Sequence, residues 1–112
     1  MKHNDDGQLA EEKVTEFLKT KRYKILERNW KTKACEIDIV AEKDGCIYFA
    51  EVKYRASASQ GSGFEYITAR KQMDMAFAAT MWIAMHDEYD EYCLSAAEVS
   101  GPDFEINFIE DI

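Results

Sequence analysis

Proline is nearly missing from these 112 residues: Pro102 stands alone, and five glycines accompany it, too few for a flexible linker or a low-complexity segment. Cysteine is scarce and its count is odd. Cys35, Cys46 and Cys93 show no CxxC spacing and no neighbouring histidine, which excludes a zinc knuckle or a disulfide framework and fits reduced thiols. The two histidines, His3 and His86, lie far apart in polar surroundings and read as surface residues, and no Ser/His/Asp or Cys/His signature is present. No apolar run approaches the roughly eighteen residues that would span a bilayer, and Met1-Lys2-His3-Asn4-Asp5-Asp6 lacks a signal-peptide core. The expectation is a cytoplasmic protein with no membrane partner, folded as one domain over residues 1–112 that buries roughly two thirds of its unfolded surface.

Positive charge is also missing, but from one region only. Residues 72–112 contain ten acidic side chains and no lysine or arginine, whereas residues 19–33 contain seven basic side chains and one acidic. The net charge of −8 is opposite in sign to that of a usual phosphate-binding surface, yet the basic stretch, ending in Lys31 and Lys33, offers a local one. The same lysines also suit a solvated helix end and a strand edge protected from aggregation.

The most informative segments are Cys35-Glu36-Ile37-Asp38-Ile39-Val40-Ala41 and Ile47-Tyr48-Phe49-Ala50-Glu51-Val52-Lys53-Tyr54. Asp44-Gly45 between them is the preferred pair for a two-residue type I′ turn, so the segments form a β-hairpin. With that turn, opposed positions sum to 89: Asp38 faces Glu51, and Glu36 faces Lys53. Period-two alternation puts all four on one face with Val40 and Phe49, and puts Ile37, Ile39, Ala50, Val52 and Tyr54 on the other.

Opposed Cβ atoms lie roughly 4.5–5.5 Å apart, so Asp38 and Glu51 repel unless something sits between them. A divalent cation removes that repulsion, and all-oxygen ligands select Mg²⁺ or Mn²⁺ over Zn²⁺. This is an arrangement for phosphoryl transfer, with Lys53 as a point charge for a nucleophilic water or a pentavalent phosphate. The same four residues also suit an ordinary solvated face with a Glu36–Lys53 ion pair, and pairing arithmetic does not separate the two readings.

Around the hairpin, Asp5 or Asp6 caps a helix to about residue 21, with Leu9, Val14, Phe17 and Leu18 inward. A first strand covers 23–30. Residues 56–63, rich in Ser, Ala and Gly, form a loop beside the candidate site, either a closing flap or a plain connector. Thr68 caps a second helix to about His86, with Met75, Ala78, Ala79, Trp82 and Met85 for packing. Strands over 92–100 and 104–110 complete the order αβββαββ, an α/β layered structure.

Five blocks in this order resemble the small bacterial YraN-like family, grouped with the PD-(D/E)XK nuclease superfamily and similar in layout to archaeal Holliday-junction resolvases. They are Gly7-Gln8-Leu9-Ala10-Glu11, Tyr23-Lys24-Ile25-Leu26-Glu27-Arg28-Asn29-Trp30, Glu36-Ile37-Asp38-Ile39-Val40-Ala41, Phe49-Ala50-Glu51-Val52-Lys53-Tyr54-Arg55 and Thr68-Ala69-Arg70-Lys71-Gln72. Departures are Cys35 and Ala10 where the family carries glycine, and a 92–95 segment without the Arg and Asp of relatives.

The resemblance implies a restriction-endonuclease-like three-layer core, a central mixed sheet with its antiparallel hairpin flanked by helices. It implies Asp38, Glu51 and Lys53 as catalytic residues, and Mg²⁺ or Mn²⁺ held by Asp38, Glu51, the Val52 carbonyl and Glu11. Lys31, Lys33, Arg55, Lys71 and Gln72 are candidates for nucleic-acid contact. The expected activity is hydrolysis of DNA phosphodiester bonds, at branched or damaged DNA. The alternative is a non-catalytic module binding nucleic acid or protein, and a homodimer through a sheet edge or the second helix is compatible with either.

Overall fold

The computed structural model describes residues 2–33, 35–56 and 63–112. Helix α1 (Lys2–Thr20) leads to strands β1 (Lys24–Lys31), β2 (Glu36–Lys43) and β3 (Cys46–Arg55), then helix α2 (Ala69–Met85) and strands β4 (Tyr92–Ser100) and β5 (Glu105–Ile109). The five strands form one sheet in sequence order. Neighbours are antiparallel except β3 and β4, which run parallel and are joined through α2, as a parallel pair requires a crossover. The protein is thus α/β with a mixed five-stranded sheet and two helices.

Each helix buries one stripe on one face of the sheet. On α1, Ala10, Val14 and Leu18 recur every four residues and pack with Ile39, Ala41, Ala50, Ala97 and Val99. On α2, Met75, Ala78, Ala79 and Trp82 pack with Ile37, Val40, Ile47 and Phe49. Full burial of a Val, Leu, Ile or Phe side chain contributes about 1.5–3 kcal/mol, so these two stripes clamp the sheet from both sides. No described helix is long and apolar enough to cross a membrane, and Cys35, Cys46 and Cys93 are free thiols.

The hairpin follows its turn chemistry. Asp44 and Gly45 both have positive φ, 54° and 83°, as a type I′ turn demands. Pairing runs from Lys43–Cys46 to Ile39–Ala50 with every pair summing to 89. It then stops short of the charged end. Asp38 is not paired with Glu51 in the ladder, and Glu36 pairs with Lys31 of β1 rather than with Lys53. On β1, Asn29, between the Arg28–Ile39 and Trp30–Ile37 pairs, takes the left-handed φ of 54°. A left-handed residue inside a strand breaks the alternation of faces. On β2, Ile37 joins Val40 in the α2 cluster instead of sharing a face with Ile39, so the alternation of faces breaks where the β2–β3 ladder ends.

Four further expectations change. Helix α1 already begins at Lys2, so Asp5 and Asp6 lie inside the helix and do not cap it. Leu9 is exposed and Ala10 takes the inward position, a rotation of one residue. On α2, Thr68 caps as expected, accepting a hydrogen bond from the Lys71 N–H at 3.1 Å, but Met85 in the last turn points to solvent. Strand β5 is shorter than 104–110 because Phe104 has a φ of 53° in the turn before it. The 56–63 loop falls largely on residues 57–62, outside the described residues.

Candidate metal centre at the open end of the hairpin

Where the β2–β3 ladder ends, Asp38 and Glu51 come from adjacent strands and are mostly buried. The Asp38 Oδ2 accepts a 2.8 Å hydrogen bond from the Val52 N–H, which fixes its carboxylate against β3. Burial and then the Glu51 charge push the Asp38 pKa up to about 7, against the lowering effect of that hydrogen bond. Burial likewise raises the Glu51 pKa, although Lys71 works in the opposite direction.

Lys71 belongs to the first turn of α2, which the Thr68 cap aims at the sheet. Its Nζ lies 3.2 Å from Glu51 Oε2. Burial disfavours the Lys71 ammonium, but the charge and hydrogen bond of Glu51 prevail and hold its pKa above the usual lysine value. The other oxygen, Glu51 Oε1, is buried and has no hydrogen-bond partner among the described residues. An unpartnered buried carboxylate oxygen is costly, which marks a place for a cation or an ordered water.

Two further carboxylates, Glu11 of α1 and Glu36 of β2, stand beside this pair. Asn29 Nδ2 donates to Glu11 Oε1 at 3.0 Å and to Glu36 Oε2 at 3.1 Å, and Arg28 Nη2 lies 3.5 Å from the same Glu11 oxygen. The charges of Glu11 and Glu36 reach both Asp38 and Glu51 and raise their pKa values further. Gly7, Gln8, Glu11, Asn29, Lys31 and Glu36 line an open polar cavity of about 410 Å³ beside these groups.

No trio of His, Cys, Asp or Glu side chains among the described residues forms a ready-made cage. The available donors are the carboxylates of Asp38 and Glu51, of which Glu51 Oε1 has no hydrogen-bond partner among the described residues. That all-oxygen, incompletely filled set suits a hard divalent ion such as Mg²⁺, which keeps several waters, and does not suit Zn²⁺.

The model of Uncharacterised protein family UPF0102 matches residues 10–105. This chain belongs to that family. Among UPF0102 proteins, one from Fusobacterium nucleatum is 38% identical over 112 residues, covering 100% of this chain and 93% of the relative. One from Flavobacterium johnsoniae is 32% identical over 115 residues, covering 97% and 94%. A third, from Oleidesulfovibrio alaskensis, is 38% identical over 91 residues, covering 81% of this chain, which spans about half of that relative's length (45%).

In this UPF0102 chain the expected residues are distributed unevenly. Asp38 and Glu51 adjoin Val52, whose N–H serves Asp38, and Glu11 approaches from α1. Lys53 is exposed and sits in register with Glu98 of β4. Lys31, Lys33 and Gln72 are exposed, but Lys71 is committed to Glu51. Arg55 is buried, with its Nε 2.8 Å from Glu98 Oε2 and its guanidinium over the Tyr66 ring, so it ties β3 to β4. The roles of Asn29, Glu98 and Tyr66 were not legible in the sequence. The spacing Thr68-x-x-Lys71 was the available signal for Lys71, since a capped first turn after a crossover faces the strand ends.

Proposed function

We propose that the chain is a Mg²⁺- or Mn²⁺-dependent nuclease that hydrolyses DNA phosphodiester bonds, built over residues 1–112 on a restriction-endonuclease-like PD-(D/E)XK scaffold. The observation that carries the reading is the buried, unpartnered Glu51 Oε1 beside Asp38, whose own pKa is pushed up to about 7 by burial and by Glu51. The element order αβββαββ and the spacing Asp38…Glu51-Val52-Lys53 support it. The reading extends to branched or damaged DNA as the substrate.

Asp38 and Glu51 would hold the ion, with Glu11 and the Val52 carbonyl as further candidate ligands. A bound Mg²⁺ or Mn²⁺ supplies Lewis acidity toward phosphate and a lowered pKa for its water. The Val52 N–H keeps Asp38 oriented. Lys53, exposed and two residues beyond Glu51, would orient the attacking water and offset charge on the phosphate. Exposed Lys31 and Lys33 supply the basic surface for the DNA backbone.

The test is metal-dependent cleavage of linear and branched DNA by the wild type, Asp38→Ala and Glu51→Ala. Loss of cleavage in both variants, with unchanged circular dichroism, supports the assignment; retained cleavage in both removes it.

A second reading, a non-catalytic module, is favoured by one observation: the Lys71 ammonium already occupies one side of Glu51. In that case binding to nucleic acid or to a protein proceeds without metal, and its salt dependence tells the two partners apart.

A further inference from the structure

Among the large hydrophobic side chains exposed on this protein, four fall on one helix at one spacing. Met73, Phe77, Met81 and Met85 of α2 are 69%, 55%, 38% and 64% exposed. They recur every four residues and so form one continuous ridge along the outer side of α2, opposite the Met75, Ala78, Ala79 and Trp82 stripe that packs on the sheet. Isolated exposed apolar residues are ordinary, but a four-member row on a single helix is the surface of an interface.

The charges at the two ends of the ridge decide what covers it. At its N-terminal end stands Arg70, whose side chain is 83% exposed and contacts Asp74 of the same helix at 3.4 Å. Beyond its C-terminal end comes the acidic run Asp87-Glu88-Tyr89-Asp90-Glu91. The ridge is therefore basic at one end and acidic at the other, which is the pattern an antiparallel copy of itself complements.

We infer that α2 is the interface of a homodimer in which two copies pack ridge to ridge, antiparallel, about a two-fold axis. A two-fold axis at the level of Ala79 sets Phe77 against Met81 and Met73 against Met85 of the other copy. The same operation brings Arg70 of each copy toward the exposed acidic run that follows α2 in the other, in both directions, as an isologous interface requires. A nucleic-acid occupant is disfavoured by the acidic end, whose charge repels phosphate.

The area sets the strength. Helix α2 has 17 residues and is about 25 Å long. Four partly exposed side chains and the flanking charges give a contact at the small end of specific interfaces, which reach about 800 Å² per partner. The dimer dissociates on dilution. The inference does not depend on the metal reading, because none of these residues belongs to the Asp38–Glu51 site.

Sedimentation velocity of the full chain across a wide concentration range tests it. The expected mass rises from 13.0 kDa toward twice that value as concentration increases. Phe77→Glu, at an exposed position, holds the mass at 13.0 kDa throughout with unchanged circular dichroism. Arg70→Glu raises the dimer dissociation constant at least tenfold, and adding Glu88→Arg restores it. A wild type that stays monomeric at every concentration overturns the inference and leaves the ridge to a foreign partner. A dimer untouched by Phe77→Glu and by the charge exchange overturns it equally.

Discussion

Lys71 and Glu51 meet asymmetrically: the ammonium lies 3.2 Å from one carboxylate oxygen, while the other is buried without a partner. One side of the Glu51 carboxylate is thus compensated by the protein's own cation, delivered from the first turn of α2. Removing it uncovers the need it meets. Lys71→Met is expected to destabilise the metal-free protein by about 1–2 kcal/mol, a value reduced for partial exposure of the lysine. Addition of Mn²⁺ is expected to recover that loss, read as a rise in melting temperature larger than in the wild type.

Asp38 gives a pH dependence of definite sign. Its folded pKa of about 7 lies above the ordinary carboxylate value of 3.8, so the folded state holds the proton more tightly than the unfolded chain does. Its favourable contribution is fully present below pH ~4 and is lost as pH rises through 7, with no further change above. The raised Glu51 pKa acts in the same direction. Asp38→Asn, which keeps an acceptor for the Val52 N–H, is expected to be more stable than wild type at pH 8 by on the order of 3 kcal/mol and to show little gain at pH 4. Urea unfolding of both proteins at the two pH values measures the difference.

Asn29 carries both a left-handed backbone and the bridge between Glu11 and Glu36. Asn29→Ala is expected to lose about 1–2 kcal/mol, combining backbone strain with two lost hydrogen bonds. Asn29→Gly tolerates the same φ and is expected to lose less, so the gap between the two melting curves isolates the strain.

The hairpin was legible because Asp44-Gly45 dictates one turn type and that turn dictates one register. Thr68 announced α2, and Val14, Phe17 and Leu18 announced α1. The departures share a cause in long-range geometry. Nothing in the local sequence states that Asn29 takes a positive φ, or that Ile37 turns to the α2 side where the ladder ends before Asp38 and Glu51. Periodicity likewise fixes which residues share a helix face but not how far the helix rolls, so Leu9 and Met85 were assigned inward. The partners of Lys71 and Arg55 come from β3 and β4, at separations no motif spans.

The Arg55–Glu98 pair shows what such a separation hides. Both side chains are only 9% exposed. Arg55→Met leaves Glu98 buried without that partner and is expected to cost about 3–5 kcal/mol. Arg55→Met combined with Glu98→Leu is expected to recover most of the loss, because an apolar pair of similar volume replaces two buried charges. Chemical denaturation of the single and double variants distinguishes a structural brace from a surface contact.

The most direct test of the central claim is calorimetric titration of Mn²⁺ into the wild type and into Asp38→Ala. Saturable binding by the wild type that disappears in Asp38→Ala is the predicted result. Absence of binding to the wild type, or equal binding by both, contradicts the assignment of Asp38 and Glu51 as a metal site.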